Sequence, residues 1–321
     1  MTLHITESEV RQLFTMKMAI EAVQSISRKQ AAGTVTVQPR RRFELPNGGF
    51  FHYMAAMDTE AGYLAMKQYT FVKGALRFLV PLYEISTGDL LALIEADYMG
   101  QLRTGAASGV ATNYLARQDA KIAGIVGSGG QAKTQLEAVA HVRKLNSARA
   151  YGRDPERRAK FCAEMSQRLG IKVHPAESAA DAVRGVDIVT TATTSGKPVL
   201  HGADLPQGVH INAIGANHAH KRELDDEAIG KADLIFVDSI EQSKQEAGDL
   251  IVPFEKTPEK WAQVHELAEL VAGKVIGRTS ERQTTLFKSN GIAAWDLAAA
   301  MVVYKAARSL KLGTEIPFFV S

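Results

Sequence analysis

Hydrophobic and polar residues follow helical spacing in the first part of the chain and strand-like spacing after it. From Thr6 to about residue 33, apolar side chains recur at helical intervals. Thr6 and Glu9 form a capping box, and Gly33 is a plausible helix end. Residues 34–85 instead contain short β-like runs at 34–37, 49–54, 63–71 and 76–83, which we predict to form an antiparallel sheet.

A helix rich in small residues is predicted at about 94–116, and from Lys121 the pattern changes again. Strands now alternate with helices, which predicts βαβ units and a parallel sheet with helices on both faces. We predict strands at 122–126, 148–151, 171–173, 186–190, 209–214 and 234–237, and helices at about 130–144, 155–169 and 178–184. A polar, less regular stretch follows at about 253–283, and a final apolar helix is predicted at about 292–310.

These patterns predict two domains, one of them inserted in the other. The final helix carries Trp295, Leu297, Met301 and Tyr304, which need an apolar surface, and we expect the helix to return to the first domain. The predicted fold class is α/β, with a Rossmann-type doubly wound parallel sheet inserted in an α+β domain. Residues 1–117 plus 292–321 are predicted to bind substrate and mediate dimerisation, and residues 118–291 to bind a dinucleotide.

Composition narrows the class of protein without indicating its chemistry. The 321 residues are 45% hydrophobic and 23% charged, which is typical of a globular chain. A net charge of +3 is too small to favour a nucleic-acid partner. Cys162 is the single cysteine, so a disulfide framework is excluded and a reducing compartment is favoured. No apolar run reaches the roughly 18 residues of a membrane span. We therefore expect a cytoplasmic protein without membrane or nucleic-acid partners, and we predict no metal site.

A glycine-rich turn follows the first strand of the second domain. Its sequence, Gly127-Ser-Gly129-Gly130-Gln131-Ala132, has the G-x-G-x-x-A spacing of a dinucleotide-binding turn. The first glycine permits the tight turn, the second lets a pyrophosphate approach the backbone, and the small third residue allows the helix to pack on the strand. A tight turn without a ligand is the alternative, but the surrounding βαβ units favour a cofactor.

The choice between NAD and NADP stays open from the sequence. The second strand ends in Tyr151-Gly152-Arg153, where an NAD-binding domain normally carries an acidic residue. Arg153 could pair with the 2′-phosphate of NADP. It could equally stack on adenine while NAD binds.

Six segments resemble the ornithine cyclodeaminase and μ-crystallin family in the same order along the chain. The first is Glu95-Ala-Asp-Tyr-Met-Gly-Gln-Leu-Arg103-Thr-Gly-Ala-Ala-Ser108, and the glycine turn follows it. The remaining segments are Thr190-Thr-Ala-Thr-Thr, Val209-His-Ile-Asn-Ala-Ile-Gly215-Ala-Asn217 with Lys221-Arg-Glu-Leu-Asp, Glu246-Ala-Gly-Asp, and Thr285-Leu-Phe-Lys-Ser289-Asn290-Gly291. The resemblance implies a Rossmann domain inserted in a dimerising substrate domain. It also implies chemistry on α-amino or α-imino acids with a nicotinamide cofactor.

The resemblance implies three cations that hold the substrate carboxylate. They match one of Arg40 to Arg42, of which we favour Arg41, together with Lys67 and Arg103. Lys67 stands in a mostly apolar run, where a charged side chain needs a reason to be present. His52, Lys73 and Arg77 belong to the same predicted sheet, and if two of them face the site, a second carboxylate such as that of iminosuccinate could be held.

Asn217 is where this chain departs from the cyclodeaminases. Family members that release ammonia have an aspartate at this position, whereas asparagine has no titratable proton and cannot act as a general base. The substitution favours the reductase branch of the family, with Lys67, Arg103 and Asn217 as catalytic residues. As an alternative, Asn217 only caps or bends its loop.

The resemblance also implies a set of nucleotide contacts. They are Arg103, Gly127, Gly129, Gly130, Gln131, Gly152, Arg153, Thr193, Ile214, Gly215, Ala216, Lys221, Ser289 and Asn290. The family's threonine after the lysine strand is Ala75 here, so one polar contact is missing or rebuilt.

Three functions compete at this point. We favour an NAD(P)H-dependent reductase that converts an α-imino acid (a ketimine, Δ1-pyrroline-2-carboxylate or iminosuccinate) to the L-amino acid. The alternatives are an ornithine cyclodeaminase that forms proline and releases ammonia, and a μ-crystallin-like protein that binds nucleotide and ligand. Each implies a small-molecule ligand, and we expect a homodimer.

Overall fold

The computed structural model describes residues 1–46 and 48–318. Its strands are β1 (Thr2–Ile5), β2 (Val35–Glu44), β3 (Phe50–Asp58), β4 (Tyr63–Val72), β5 (Ala75–Glu84), β6 (Leu90–Glu95), β7 (Ile122–Val126), β8 (Ser147–Tyr151), β9 (Lys172–Pro175), β10 (Ile188–Thr191), β11 (His210–Ala213), β12 (Leu234–Val237), β13 (Val264–Glu266), β14 (Thr285–Lys288) and β15 (Thr314–Ile316). Its α-helices are α1 (Glu7–Leu13), α2 (Met16–Ala32), α3 (Asp97–Leu115), α4 (Gly130–Val142), α5 (Pro155–Leu169), α6 (Ala179–Val183), α7 (Asp226–Gly230), α8 (Ile240–Glu246), α9 (Gly248–Phe254), α10 (Leu267–Val271) and α11 (Ala293–Leu310).

The chain divides into two compact units. Unit 1 contains residues 1–104 and 291–321, and unit 2 contains residues 105–290. The first division falls 13 residues before the boundary that we predicted at 117/118, within the continuous helix α3. Residues 319–321, at the end of the predicted substrate domain, lie outside the described residues. The binding roles assigned to the two predicted domains are taken up again as proposals.

Unit 1 is built on a seven-stranded sheet with the order β15-β1-β6-β5-β4-β3-β2. Strands β2 to β5 are antiparallel neighbours, as predicted for residues 34–85. Strand β6 was not predicted: it continues the antiparallel order beside β5, includes residues 94–95 that we assigned to the following helix, and pairs with β1 in parallel. Helix α11 packs on β3, β4 and α2 and buries Trp295 and Leu297. The predicted return of this helix to the first part of the chain is thus present within unit 1.

Unit 2 contains an eight-stranded parallel sheet with the order β13-β12-β14-β11-β10-β7-β8-β9. Successive residues Ile125 and Val126 of β7 belong to two separate apolar clusters, because side chains alternate between the faces of a strand. One cluster includes Phe161 and Met165 of α5, and the other includes Leu250 of α9. Parallel strands covered on both faces confirm the predicted doubly wound α/β class.

Two local predictions need correction. The N-terminal helical segment is broken into α1 and α2, because Thr15 begins a new helix and its hydroxyl accepts a hydrogen bond from the Met18 N–H. Strand β13 lies in the stretch at about 253–283 that we predicted to be irregular, and β14 lies directly after it. Neither strand was predicted, because three or four residues are too few to show a period. The capping box of Thr6 with Glu9 and the helix end at Gly33 are confirmed.

Neither a membrane-spanning helix nor a metal-binding cluster is found in the part of the chain that the structure describes. No helix there combines the length and apolarity needed to cross a bilayer. No group of three or more histidine, cysteine, aspartate or glutamate side chains there is placed to hold a metal ion.

Candidate active site

The turn after β7 leaves the backbone open at the start of α4. Gly127 has a φ of 127°, and a Cβ atom there would lie 2.3 Å from the carbonyl oxygen of Ala192, so only glycine fits. Gly129 is the N-cap of α4, and a Cβ atom at this position would meet no described atom within 4 Å. The turn therefore offers free space where a phosphate can approach the N–H groups of the helix N-terminus.

A groove opens at this turn. It is lined by residues 126–129, 151–154, 157, 192–195 and 199, which belong to the carboxyl ends of β7, β8 and β10 and the loops after them. Strand order reverses between β7 and β10, and doubly wound sheets bind their ligands at such a point. The groove thus gathers five of the predicted nucleotide contacts: Gly127, Gly129, Gly152, Arg153 and Thr193.

Two more predicted contacts, Gly130 and Gln131, are the first residues of α4. The side-chain oxygen of Gln131 is buried and accepts no hydrogen bond from the described residues. A buried acceptor of this kind needs a donor. The free N–H groups, the open space at Gly129 and this acceptor together fit a dinucleotide.

Positive charge lines the groove beyond β8. Arg153 and Arg157 are exposed there. Asp154 lies between them, but its Oδ1 accepts hydrogen bonds from the N–H groups of Glu156 and Arg157 and so caps α5. Among the described residues that line this groove, Asp154 is the one acid, and its Oδ1 is engaged at the N-terminus of α5.

Glu223 joins the loops that follow β10 and β11. Its carboxylate is fully buried and accepts hydrogen bonds from the hydroxyls of Thr191 and Thr193 and from the N–H groups of Thr193 and Gly215, at 2.7–2.8 Å. Burial raises the pKa of Glu223, while the nearby Lys288 lowers it. The side chain thereby fixes two predicted nucleotide contacts, Thr193 and Gly215, to each other.

Lys288 at the end of β14 extends this buried network. Its Nζ lies 3.1 Å from Asp249 Oδ2 and also donates to the carbonyl oxygen of Ala216. Asp249 Oδ1 in turn accepts from the N–H groups of Glu223 and Leu224. Two acids and a lysine, all inaccessible to solvent, therefore hold the loop after β11 in one arrangement.

A third buried acid holds the end of β14. Asp238 Oδ2 accepts from the Ser289 hydroxyl at 3.1 Å and from the Asn290 N–H at 2.8 Å. Both donors are predicted nucleotide contacts, and both are buried. Asp238 follows β12, so three neighbouring strands contribute to this edge of the sheet.

The remaining predicted contacts of unit 2 lie in the loop after β11. Ile214 and Ala216 are buried, whereas Asn217 and Lys221 are half-buried. The Lys221 N–H donates to the carbonyl oxygen of His218. None of these four lines the groove described above.

Replacement of Glu223 by glutamine is expected to destabilise unit 2. The amide would place a donor against groups that all donate, and a buried group without its partner costs about 1–3 kcal/mol. Denaturation in urea should show this fall in the free energy of unfolding. Glu227→Gln is the matched control, because Glu227 is half exposed and pairs only with Lys231. Equal stability of the two variants would contradict the role of Glu223.

Unit 1 contains a buried group of charges that includes two predicted catalytic residues. Asp296, in the first turn of α11, is 1% exposed. Its Oδ1 accepts a hydrogen bond from Arg103 Nε at 2.9 Å and lies 3.2 Å from Lys67 Nζ. Gly100 in α3 provides room for the ammonium, since a Cβ atom there would lie 3.2 Å from Nζ. We call Lys67, Arg103 and Asp296 the charged triad.

The surroundings of Lys67 lower the pKa of its side chain. Burial lowers the pKa of Lys67 to about 8, and the neighbouring Arg103 and Arg40 act in the same direction. Asp296 opposes them. A lysine with this pKa can give a proton as the ammonium and take one as the neutral amine at physiological pH.

Arg40, and not the favoured Arg41, is the arginine beside the triad. Arg41 pairs across the sheet with Tyr53, on the face opposite Lys67, and is exposed. The register of β2 shifts between Gln38 and Arg41, and Arg40 in this irregular segment is 7% exposed. Its Nη2 donates to the carbonyl oxygen of Gly291 at 3.3 Å. An irregularity of one residue in a strand could not be read from the sequence.

Aromatic rings extend the face of the sheet that carries Lys67. Tyr69 and Phe78 stack at 4.9 Å, and Lys67 Nζ lies 5.8 Å and 5.3 Å from their ring centroids. His52 is buried, stacks on Phe50, and its Nδ1 lies 2.8 Å from the Tyr69 hydroxyl. We call His52, Tyr69 and Phe78 the aromatic wall.

Neither of the other two cations considered for a second carboxylate lies on this face. Arg77 pairs with Thr70, which is three residues from Lys67 and so points to the opposite face. Lys73 is an exposed residue of the turn between β4 and β5, with a φ of 50°. Of the three candidates, only His52 belongs to the Lys67 face.

Sequence reasoning assigned no role to five buried charges of these networks: Glu223, Asp238, Asp249, Lys288 and Asp296. Arg40 was among the three candidate arginines, of which we favoured Arg41. Two of the five charges carried a usable signal, because Lys288 ends an apolar strand and Asp296 is the one charge among the first apolar turns of α11. A charge in such a position needs a buried partner. The partners of Lys288 and Asp296 could not be predicted, since the paired residues are far apart in the chain.

Comparisons with known proteins agree on one family. Residues 2–311 match a family model described as "Ornithine cyclodeaminase/mu-crystallin family". The Δ1-pyrroline-2-carboxylate reductase of Bacillus cereus is 34% identical over 98% of this chain and 99% of its own.

Solved structures give the same result. The Δ1-pyrroline-2-carboxylate reductase of Thermococcus litoralis, in complex with NADH and L-proline, has a TM-score of 0.94 at 38% identity and covers 98% of this chain and 100% of its own. An archaeal alanine dehydrogenase, described as a dimer with bound NAD, has a TM-score of 0.93 at 35% identity and covers 99% of both chains.

Proposed function

Because the chain belongs to the ornithine cyclodeaminase/mu-crystallin family, we propose that it is an NAD(P)H-dependent reductase whose substrate is Δ1-pyrroline-2-carboxylate and whose product is L-proline. Its class is that of the nicotinamide-dependent oxidoreductases that act on imino and amino acids. The observation that carries the proposal is the charged triad, which buries a proton donor beside an arginine. Two relatives with this substrate in their descriptions, each over 30% identical, support the choice of a cyclic imine.

The aromatic wall supports a substrate whose side chain is apolar. An aliphatic ring can pack against Tyr69 and Phe78, which lie next to the Lys67 ammonium. A second carboxylate would have only His52 on this face as a cation, because Lys73 and Arg77 point elsewhere. Iminosuccinate therefore fits this face less well than a cyclic imine.

Arginine side chains bind the substrate carboxylate in this proposal. Arg103 uses Nε for Asp296, and its Nη1 is buried without a hydrogen-bond acceptor among the described residues. A carboxylate oxygen would satisfy that donor in a charge-assisted hydrogen bond. Arg40, which is close enough to lower the pKa of Lys67, adds a second positive charge. Of the three cations that the resemblance implies, Lys67 and Arg103 are kept, and Arg40 takes the place of the favoured Arg41.

Lys67 supplies the proton. A nicotinamide, when bound, would supply a hydride to the imine carbon, so the nitrogen must gain a proton for the amine to form. Lys67 Nζ gives that proton to the nitrogen, becomes neutral, and is protonated again from water. A group with a pKa of about 8 suits this exchange in either direction of the reaction.

Asn217 distinguishes reduction from deamination. Its amide can donate and accept hydrogen bonds, but it cannot remove a proton from an attacking water. Ammonia release from ornithine needs such a base, whereas imine reduction does not. The cyclodeaminase alternative is therefore disfavoured.

The cofactor site is proposed to accept NADPH as well as NADH. Arg153 and Arg157 line the groove beside β8, where the carboxylate of Asp154 is held by the α5 N-terminus. A 2′-phosphate would pair with these two arginines in charge-assisted hydrogen bonds. Binding of NADH by a close relative supports the smaller cofactor equally well.

Replacement of both Arg153 and Arg157 by alanine is expected to raise the KM for NADPH at least tenfold, because two charge-assisted contacts are lost. The KM for NADH should change less than threefold. Initial rates at saturating imine, with varied concentrations of each cofactor, measure both KM values. Arg168→Ala is the control, since Arg168 lies on the same helix but pairs with Glu137. An equal loss for both cofactors would contradict the assignment.

A homodimer is proposed through the open face of the unit 1 sheet. Phe43, Phe51 and Tyr53 stack on one another on the face opposite Lys67, and Phe43 is 56% exposed. The archaeal relative is described as a dimer. Sedimentation equilibrium of the purified chain tests this, and a monomer at micromolar concentration would contradict it.

One set of assays separates the three functions. Purified protein is mixed with Δ1-pyrroline-2-carboxylate and NADH or NADPH, and the loss of absorbance of the reduced cofactor is followed. Ammonia release from L-ornithine is measured in parallel. The proposal expects cofactor oxidation with the imine and no ammonia from ornithine. Ammonia without net cofactor oxidation would indicate the cyclodeaminase, and tight cofactor binding without turnover would indicate the binding protein.

A further inference from the structure

We infer that Asp296 is a positioning residue that sets the pH range of imine reduction. Its carboxylate holds the Lys67 ammonium and the Arg103 guanidinium together, and its negative charge keeps Lys67 protonated while the proton is needed. This inference rests on the proposed function, in which Lys67 gives a proton to the substrate nitrogen.

One oxygen of Asp296 serves both cations. Oδ1 lies 2.9 Å from Arg103 Nε and 3.2 Å from Lys67 Nζ. The other oxygen, Oδ2, is buried and accepts no hydrogen bond within the described ranges 1–46 and 48–318. The carboxylate is therefore not saturated by the two cations and can keep Lys67 as a partner while Arg103 binds a ligand.

The charges that face Lys67 are unbalanced. Arg103 from α3 and Arg40 from β2 are both positive, and the rings of Tyr69 from β4 and Phe78 from β5 carry no charge. His52 from β3 reaches this group through its contact with the Tyr69 hydroxyl. Asp296 from α11 is the one carboxylate among the described residues that faces the ammonium.

Removal of the Asp296 charge is therefore expected to lower the pKa of Lys67. Burial and the two arginines lower the pKa of Lys67, and Asp296 alone raises it. Without Asp296, Lys67 would lose its proton at a lower pH. Reduction needs the protonated lysine, so its rate would begin to fall at a lower pH, whereas oxidation of L-proline, which needs the neutral lysine, would begin to rise at a lower pH.

The titration of Lys67 can be measured without any substrate. Protein labelled with [ε-¹³C]lysine is titrated by NMR, and the Lys67 resonance is assigned by its absence from the Lys67→Arg variant. We expect a pKa of about 8 in the unaltered protein. In Asp296→Asn it should fall by at least one unit, and the alkaline limb of kcat/KM for imine reduction should move down by the same amount.

Asp58→Asn is the matched control. Asp58 is also a fully buried carboxylate of unit 1, but it pairs with Lys29 at 2.9 Å. This variant should leave the pKa of Lys67 and the pH profile unchanged. If Asp296→Asn lowers thermal stability but moves neither the resonance nor the profile, Asp296 is only structural and the inference is overturned.

Arg103→Gln provides a second test should Asp296→Asn not fold. It removes one of the cations that lower the pKa of Lys67 and leaves Asp296 Oδ1 to Lys67 alone. The pKa of Lys67 should rise, and an unchanged or lowered value would overturn the inference. Because NMR reads the lysine directly, a protein that reduces no imine would refute the proposed function without deciding the role of Asp296.

Discussion

The Lys67→Met variant should reduce imines about 10²–10⁴-fold more slowly than the unaltered protein, since this is the usual contribution of a positioned proton donor. Methionine keeps most of the apolar stem of lysine but has no proton to give. Asp296 would still hold Arg103, so the substrate carboxylate would keep a binding partner. The loss should therefore appear mainly in kcat, with a smaller change in KM, in steady-state assays with Δ1-pyrroline-2-carboxylate.

Lys29→Met is the control for this experiment. Lys29 also belongs to unit 1 and pairs with a buried aspartate, but it lies on α2 and its partner is Asp58 and not Asp296. Its replacement should lower stability without a tenfold change in kcat. A Lys67→Met variant that keeps its kcat would show that the proton comes from another group or from water.

The Gly129→Val variant should bind NADH at least 100-fold more weakly than the unaltered protein and yet fold normally. Gly129 has a φ of −87°, which any residue adopts, and a Cβ atom there would meet no described atom within 4 Å. The free protein therefore has room for a valine. If the pyrophosphate approaches the backbone at this turn, the added methyl groups occupy its place.

Equilibrium titration of NADH fluorescence measures this loss, and thermal unfolding checks the fold. Gly230→Val is the control, because a Cβ atom at Gly230 in α7 also meets no described atom within 4 Å. It should leave NADH binding unchanged. Normal NADH binding by Gly129→Val would mean that the cofactor does not use this turn, and the nucleotide assignments of unit 2 would fail with it.

Regular elements of the fold could be predicted because their patterns repeat over enough residues. Helix α5 has the bounds predicted for it, and β7 agrees residue by residue. Strand β13 has only three residues and β14 only four, so neither shows a period of its own. The break between α1 and α2 depends on one hydroxyl, that of Thr15, which a helical pattern does not reveal.

Candidate site residues could likewise be predicted where local sequence determines their role, and not where distant contacts do. Those of the glycine turn follow from local chemistry, because Gly127 and Gly129 act through their own backbone. Asp296 acts through Arg103, which is 193 positions away in the chain, and through Lys67, which is further still, and no local pattern predicts such pairs. A register shift in β2 decides which arginine lies on the Lys67 side of the sheet. The sequence does not reveal that shift, so it could not distinguish Arg40 from Arg41.

The most direct test of the proposed reduction is the amount of L-proline formed from Δ1-pyrroline-2-carboxylate per reduced cofactor consumed. Chiral chromatography of the product and absorbance of the cofactor give both quantities from one reaction. We predict one L-proline for each NADH or NADPH oxidised, with at most about one hundredth as much product from Lys67→Met in the same time. Proline formed from L-ornithine with ammonia release, and none from the imine, would contradict the proposal.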